Sequence, residues 1–427
     1  MRLRSVALRS QGSSALVSGV SFEPDTGQNG ADSSLVVAIA EYLDFRVSAD
    51  QSPSMKQMSV RVPLQDLHRS AQMYRQEYLA AMDRVLQRGW YIMGQELKEF
   101  EKEWGGYLKA DFCVGCGNGT DALELALRAC GIGMGDHVVT AANAGMYATT
   151  AIISVGAIPI YADIETGSYA VSERTVLDVV DEDTKAVIVT HLYGIPAPID
   201  NIKKICKARS LLLIEDCAEC HGAQTKDGRF LGTVGDVGCF SFYPTKNLGA
   251  LGDGGACVTS NVELAERLRN LRQYGWRERY QAAVPFGRNS RLDEIQAAAL
   301  RVMLPQLENR NKARRKIAEC YVEAFRGLEL VLPPADDPGY VAHLFVIQVD
   351  GRDAIRTKLA ECGVATDIHF PTPDYRQPAV LAAVKRKYGD LRETERVVSR
   401  ILTLPCFPEM TEAEVDHVIQ AVQTVLQ

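Results

Sequence analysis

Apolar positions change their spacing along this chain, and each change marks an element. Leu64 to Arg88 carries helical spacing, Gly89-Trp-Tyr-Ile-Met-Gly94 breaks it, and Gln95 to Leu108 resumes it. Short apolar runs then alternate with helical segments. The runs are Phe112–Val114, His137–Thr140, Ile158–Tyr161, Ala186–Thr190, Leu211–Ile214, Gly238–Ser241 and Gly255–Thr259. Such alternation predicts a three-layer α/β fold, with a mainly parallel seven-stranded sheet covered by helices on both faces. Gly287 to Val302 predicts a long helix, Pro305 interrupts it, and Leu307 to Phe325 continues it. Beyond Leu330 come a strand (His343–Val349), a helix (Asp353–Cys362), a proline-rich loop (Phe370–Pro378) and two further helices, which read as a smaller C-terminal α+β domain. The expected organisation is an extension at 1–58, a large domain with its N-terminal helices at 59–310, and a small domain at 311–427.

The first segment departs from this pattern. Met1 to Gln57 carries Arg2 and Arg4, then Ser-, Gly- and Asp-containing stretches with little sustained periodicity. Ser-Ala-Leu-Val-Ser-Gly-Val is short and mixed for a secretory core, and Glu23, Asp25, Asp32, Glu41 and Asp44 argue against a transit peptide. The expectation is a disordered extension, or a start placed upstream of the real one, with Met55 or Met58 as candidates.

Composition narrows the function classes. A net charge of −7 and a pI near 5.6 argue against general nucleic-acid binding and against an anionic membrane surface. No apolar run approaches the length of a membrane span. The eleven cysteines are scattered and odd in number, and Cys239 and Cys257 sit in apolar runs, as reduced core thiols of a cytoplasmic protein do.

The candidate chemistry centres on Lys246, held between the aromatic run Ser241-Phe-Tyr-Pro-Thr and the glycine-rich Leu248-Gly-Ala-Leu-Gly-Asp-Gly-Gly255. Desolvation there disfavours the ammonium form and makes the amine a nucleophile able to bond to an aldehyde. Thirty residues upstream, Leu211-Leu-Leu-Ile-Glu-Asp216 reads as a buried strand ending in two carboxylates. A lysine that holds an aldehyde and an acid that pairs with a pyridinium nitrogen are what pyridoxal 5′-phosphate (PLP) chemistry requires. Taken singly, a solvated loop lysine and a helix-capping aspartate are the simpler readings; together and in this order they are not. Gly115-Cys-Gly-Asn-Gly-Thr-Asp121 follows a strand and opens a helix, so Gly119 and Thr120 suit a phosphate, with Ser241 adding a hydroxyl from another strand end. This weak signal lacks the Gly-Lys-Ser/Thr ending of a nucleotide-binding P-loop. His191 ends a strand and so faces the site edge, although a satisfied core histidine fits nearly as well. Arg288, Asn289 and Arg291 begin the predicted helix and offer an anion site, against a solvated first turn. Cys113, Cys116, Cys217 and Cys220 are spaced as two pairs for zinc, and Cys217-Ala-Glu-Cys-His221 spells a haem-attachment pattern. Core packing is the stronger reading of both, and no metal is expected.

With these residues in view, Val60 to Gln427 resembles the DegT/StrS-type nucleotide-sugar aminotransferases, a branch of the fold-type-I PLP enzymes. The motifs are Gly-Trp-Tyr-Ile-Met-Gly94, Gly117-Asn-Gly-Thr-Asp-Ala-Leu123, Ala157-Ile-Pro, Glu215-Asp-Cys-Ala, Ser241 through Gly255, Asn289-Ser-Arg-Leu-Asp-Glu-Ile-Gln-Ala-Ala298 and Leu404-Pro-Cys-Phe-Pro-Glu-Met-Thr411. The resemblance implies that Lys246 bonds to the cofactor aldehyde and later shuttles a proton, that Asp216 keeps the ring nitrogen protonated, and that Gly119, Thr120 and Ser241 bind the phosphate. It also implies that Asn289 completes the phosphate site of a neighbouring subunit, making the active unit a homodimer. Two positions depart from the family. Glu219 stands where Gln or His is usual near the phenolic oxygen, and repels a phenolate unless protonated or turned away. Gly145 stands where an aromatic ring usually covers the cofactor, leaving Tyr147 as the nearest substitute. His369-Phe-Pro-Thr-Pro-Asp-Tyr-Arg-Gln-Pro-Ala379 is similar to the loop of members that aminate dTDP-linked 3-keto-6-deoxy sugars. His369, Tyr375, Tyr91 and His191 are then the substrate-side candidates. The implied reaction is ping-pong transamination of such a sugar with L-glutamate as donor. A 4-keto-sugar aminotransferase and, from another class, a Cys-ligated zinc or haem redox protein are the alternatives. A dehydratase of the same lineage replaces the lysine by histidine, which Lys246 argues against.

Overall fold

The computed structural model describes residues 61–383 and 390–426, so the expectations for 1–58 lie outside the described residues. Seven strands build the main sheet: β1 (Phe112–Cys116), β2 (His137–Ala141), β3 (Ile158–Ala162), β4 (Thr184–Thr190), β5 (Leu212–Asp216), β6 (Val237–Ser241) and β7 (Gly255–Thr259). Their order is β1-β7-β6-β5-β4-β2-β3, and β7 runs antiparallel to both of its neighbours while the rest are parallel. The central strands are buried nearly throughout, which explains why they read as continuous apolar runs rather than as alternating ones. Their two faces carry separate cores. One gathers Trp104, Val187, Phe240 and Phe242 with the helix Gln95–Leu108. The other packs Leu123, Ile152, Ile188 and Cys239 under the helix Gly119–Ala129. This is the predicted three-layer sandwich.

Two helix expectations change. Leu64–Arg88 is two helices, Leu67–Met73 and Arg75–Arg88, separated at Tyr74. The second predicted helix, from Gly287, begins only at Glu294. Residues 288–290 are strapped to the chain at 271–274: Arg288 donates to Leu271 O, Ser290 to Arg272 O, and Tyr274 to Arg288 O. These bonds take the backbone groups that a first helical turn needs. A hairpin of β8 (Trp276–Glu278) and β9 (Gln281–Ala282) projects from the same region.

Past Pro305 the helix Leu307–Phe325 runs on without a break, through the expected domain boundary at 310/311. Its first residue, Leu307, belongs to the core of the main sheet, while Ile317, Tyr321 and Phe325 belong to a third core. That third core is covered by the antiparallel pair β10 (Phe345–Gln348) and β11 (Ile401–Leu404) and by the helix Glu412–Leu426. The described residues form one compact unit.

Candidate active site

In a parallel sheet the strand ends converge on a crevice, and here the crevice is a cavity of about 590 Å³. Asp216, the last residue of β5, lies at its wall, 3% exposed. Its Oδ2 accepts from Thr190 Oγ1 at 3.3 Å and its Oδ1 from the Ala218 amide at 3.1 Å. Burial raises its pKa above the ordinary carboxylate value, so an apposed cation such as a protonated ring nitrogen offsets the cost. Glu215, one residue earlier, points to the other side of the strand, as period-two alternation demands. It accepts from the amides of Gly232, Val234 and Gly235 at 2.6 to 2.9 Å, and it pairs with His191 Nε2 at 3.1 Å.

That pairing corrects the expectation for His191. The residue is fully buried, and the Ala197 amide donates to its Nδ1 at 3.1 Å, which places its proton on Nε2, toward Glu215. Thr190 and Leu192 line the cavity instead.

The phosphate-sized corner forms where the helix Gly119–Ala129 meets β6. Asn118 caps that helix, accepting from the Asp121 amide at 2.8 Å, and leaves the Gly119–Thr120 turn facing the cavity. A Cβ on Gly119 would lie 2.5 Å from Ser241 Cβ, and a Cβ on Gly255 would lie 2.3 Å from Asn118 O. Both positions therefore require glycine for the helix N-terminus and Ser241 to approach so closely. First-turn amides, a hydroxyl and a favourable dipole make this corner suited to a dianion.

Lys246 reaches the same cavity from the turn after β6. Its Nζ donates to Glu219 Oε1 at 3.1 Å. Glu219 Oε2 accepts from the Tyr193 amide at 2.8 Å, and His343 Nε2 stands 3.6 Å from Glu219 Oε1. The residues present fit PLP: an amine, a buried acid and a glycine-lined anion corner share one cavity.

The space beside position 145 is filled by an aromatic ring from the proline-rich loop. Gly145 has φ +77°, and a Cβ there would lie 2.9 Å from three ring carbons of Phe370. Phe370 has taken the space, and Tyr147 meets it edge-on at 5.8 Å; both line the cavity. His369 also lines it, with Nδ1 2.9 Å from Thr403 Oγ1, and burial lowers its pKa. Tyr375 does not: its ring packs near Tyr161, at 6.2 Å. Tyr91 is half exposed and away from the cavity walls, and so is exposed Asn289, whose neighbour across an isolated bridge is Gln273. Arg288 is paired with Glu124 and Asp121, and Arg291 lies over the Tyr274 ring; neither lines the cavity. Sequence reasoning missed His343, whose position at the start of a predicted strand carries no signal of its contact with Glu219.

The cysteine alternative does not assemble. Cys113 and Cys116 lie on β1 and Cys217 and Cys220 follow β5, three strand spacings away or about 14 Å. Among the described residues, the one group close enough for a metal is His191, Glu215 and Cys217, whose histidine and carboxylate are already hydrogen-bonded.

Fold, cavity and the comparisons with known proteins together make this a fold-type-I, PLP-dependent aminotransferase. The chain belongs to the DegT/DnrJ/EryC1/StrS aminotransferase family, whose model matches residues 72–423. It is 41% identical over 362 residues to the dTDP-3-amino-3,6-dideoxy-alpha-D-galactopyranose transaminase of Aneurinibacillus thermoaerophilus, covering 84% of this chain and 98% of that one. Among solved structures it resembles DesV of S. venezuelae in complex with a ketimine intermediate, at TM-score 0.82 and 38% identity, covering 86% of this chain and all of the other. It also resembles NtdA of Bacillus subtilis with bound cofactor PMP, at TM-score 0.80 and 28% identity, covering 89% and 91% of the two chains.

Proposed function

We propose that this enzyme transfers an amino group from an amino acid, with L-glutamate the expected donor, to the 3-keto carbon of a dTDP-linked 6-deoxy sugar. One observation carries the reading: Lys246, Asp216 and the Gly119–Ser241 corner line one cavity in a chain 41% identical to a transaminase of that substrate class. The similarity of the His369–Ala379 loop to that of 3-amino-sugar members supports the position aminated.

When bound, PLP supplies an aldehyde to hold the amino group and a ring to take up the electron pair released at the donor's α-carbon. The chain's own residues do the rest. Asp216, buried and bonded to Thr190, would hold a proton on the ring nitrogen. Gly119, Thr120 and Ser241 would hold the phosphate. Lys246 would hold the aldehyde and serve as proton carrier, and its Nζ sits within reach of an acceptor in Glu219. Tyr147 and Phe370 exclude water from one side of the cavity, and His369 stands at the substrate side.

The proposed active unit is a homodimer. Asn289 is exposed and outside its own cavity, as a residue that serves the neighbouring subunit's phosphate site would be. Exposed Trp90, Tyr91, Tyr274, Tyr280 and Phe286 are candidates for the apolar surface that a second copy covers. All eleven cysteines are free, which supports a reducing, cytoplasmic setting. No helix among the described residues is long and apolar enough to cross a membrane.

The test is the absorption spectrum of PLP-loaded protein before and after L-glutamate, for the wild type and Lys246→Ala. The expected result is a visible band of lysine-bound cofactor that glutamate bleaches in the wild type, and loss of that conversion in the variant. Wild-type protein that gives no such band with added PLP would remove the reading. Product NMR with each keto sugar then separates amination at C3 from amination at C4.

A further inference from the structure

We propose that Glu219 accepts the proton that Lys246 releases on becoming a nucleophile, and keeps it in a hydrogen bond to the bare Nε2 of His343. This rests on the PLP reading above.

The direction of the hydrogen bonds around His343 is fixed from the far side. Val341 O and Asn311 Oδ1 accept from Asn247 Nδ2 at 3.0 and 2.8 Å, and a backbone carbonyl can only accept. Asn311 is oriented in turn by donating through Nδ2 to His221 O at 2.8 Å. Asn247 therefore presents Oδ1 to His343 Nδ1, 2.9 Å away, and that nitrogen must carry the hydrogen. Nε2 is left as a lone pair, 3.6 Å from Glu219 Oε1. Burial first, and then the cations of Lys246 and Arg314, hold the imidazole's pKa well below the ordinary value.

Glu219 Oε1 thus faces one acceptor and one cation, while Oε2 is occupied by the Tyr193 amide. Asp216, His369, Tyr147, Tyr193 and Cys220 are the other titratable groups close enough to interact with it. While Lys246 is an ammonium, its charge balances the carboxylate. Bonding to an aldehyde requires the free amine. An N–H bond of Lys246 breaks and an O–H bond forms on Glu219 Oε1; the amine then adds to the aldehyde carbon, a C=N bond forms and water leaves. Nothing is oxidised or reduced. The neutral carboxylic acid can now turn its hydrogen toward Nε2, forming a hydrogen bond as the 3.6 Å gap shortens to about 3 Å, and it removes the charge that would repel the cofactor phenolate.

Infrared difference spectroscopy of PLP-loaded minus unloaded protein tests this. The expected result is a new C=O stretch of a protonated carboxylic acid, absent in Glu219→Gln, together with a cofactor band whose pH midpoint moves by less than about 0.5 unit in that variant. A carboxylate at 219 in the loaded enzyme would give no such stretch, and Glu219→Gln would move the midpoint by about one unit or more; either result overturns the proposal. Should the variant not fold, wild-type protein with 13C in its glutamate carboxyls serves: the new stretch shifts if glutamate holds the proton, and stays if aspartate does, which also overturns it. Absence of the cofactor band in wild-type protein fails the PLP reading itself, whereas a normal band without the new stretch fails this inference alone.

Discussion

A methyl group at position 119 would close the phosphate corner, because its carbon would lie 2.5 Å from Ser241 Cβ and 3.2 Å from Ser241 Cα. Gly119→Ala is therefore expected to weaken PLP binding by about tenfold or more, read by fluorescence titration of the unloaded protein. Unchanged affinity would show that the corner does not hold the phosphate. The neighbouring acids of β5 separate just as sharply. Glu215→Ala leaves three buried amides and His191 without their acceptor and is expected to cost about 3–5 kcal/mol of stability, measured by denaturant unfolding. Lys246→Ala, on the cavity wall, should cost far less. At this scale the sequence was informative where backbone geometry dictated residue type, as at Gly119, and where alternation along a strand divides Glu215 from Asp216. It was silent on His343, since nothing local marks a histidine whose role depends on Asn247, ninety-odd positions away in sequence and 2.9 Å away in space.

Among the elements, the proline-rich loop is fastened to the cavity wall by one buried carboxylate. Asp374 is fully buried and accepts from the Met146 amide at 3.0 Å and Thr149 Oγ1 at 2.6 Å, at the start of the helix Tyr147–Ser154. Burial raises its pKa from 3.8 to about 6. A folded-state pKa above the unfolded one stabilises the protein below about 3.8, and that contribution is lost as pH rises through about 6. The difference corresponds to about 3 kcal/mol. Asp374→Asn should flatten this dependence, so its melting temperature should rise relative to wild type between pH 4 and pH 7, about the interval those values span. Parallel melting profiles across that interval would refute the assignment. The loop itself was legible from its prolines, whereas its clasp on residues 142–149 was not. Likewise the segment at 288–291 carries helical spacing, yet its backbone hydrogen bonds go to residues 271–274, a tertiary choice that periodicity does not record.

For the whole molecule, the proposed exchange of Asn289 between subunits has a direct genetic test. Lys246→Ala and Asn289→Ala homodimers should each be impaired, but a mixture refolded together contains hybrids in which one site has both residues intact. Recovered activity of roughly a quarter of wild type is the expected outcome for random pairing of equal amounts. No recovery, from a mixture shown by mass spectrometry to contain hybrids, would place Asn289 outside the partner's site. The layering of the fold was visible in the alternation of apolar runs, because a sheet buried on both faces leaves no polar stripe to confuse the reading. The continuity of the helix Leu307–Phe325 between two cores was harder to foresee, since one helix can satisfy both with different faces along its length.

The free cysteines add a practical consequence. Eight of the eleven are buried, two are partly so, and Cys320 alone is exposed. A maleimide dye applied to the native enzyme should therefore mark one position per chain quickly, on a helix that spans two cores. The remaining thiols become a counter: each gain in reactivity under heat or denaturant reports which layer has opened, without any engineered probe.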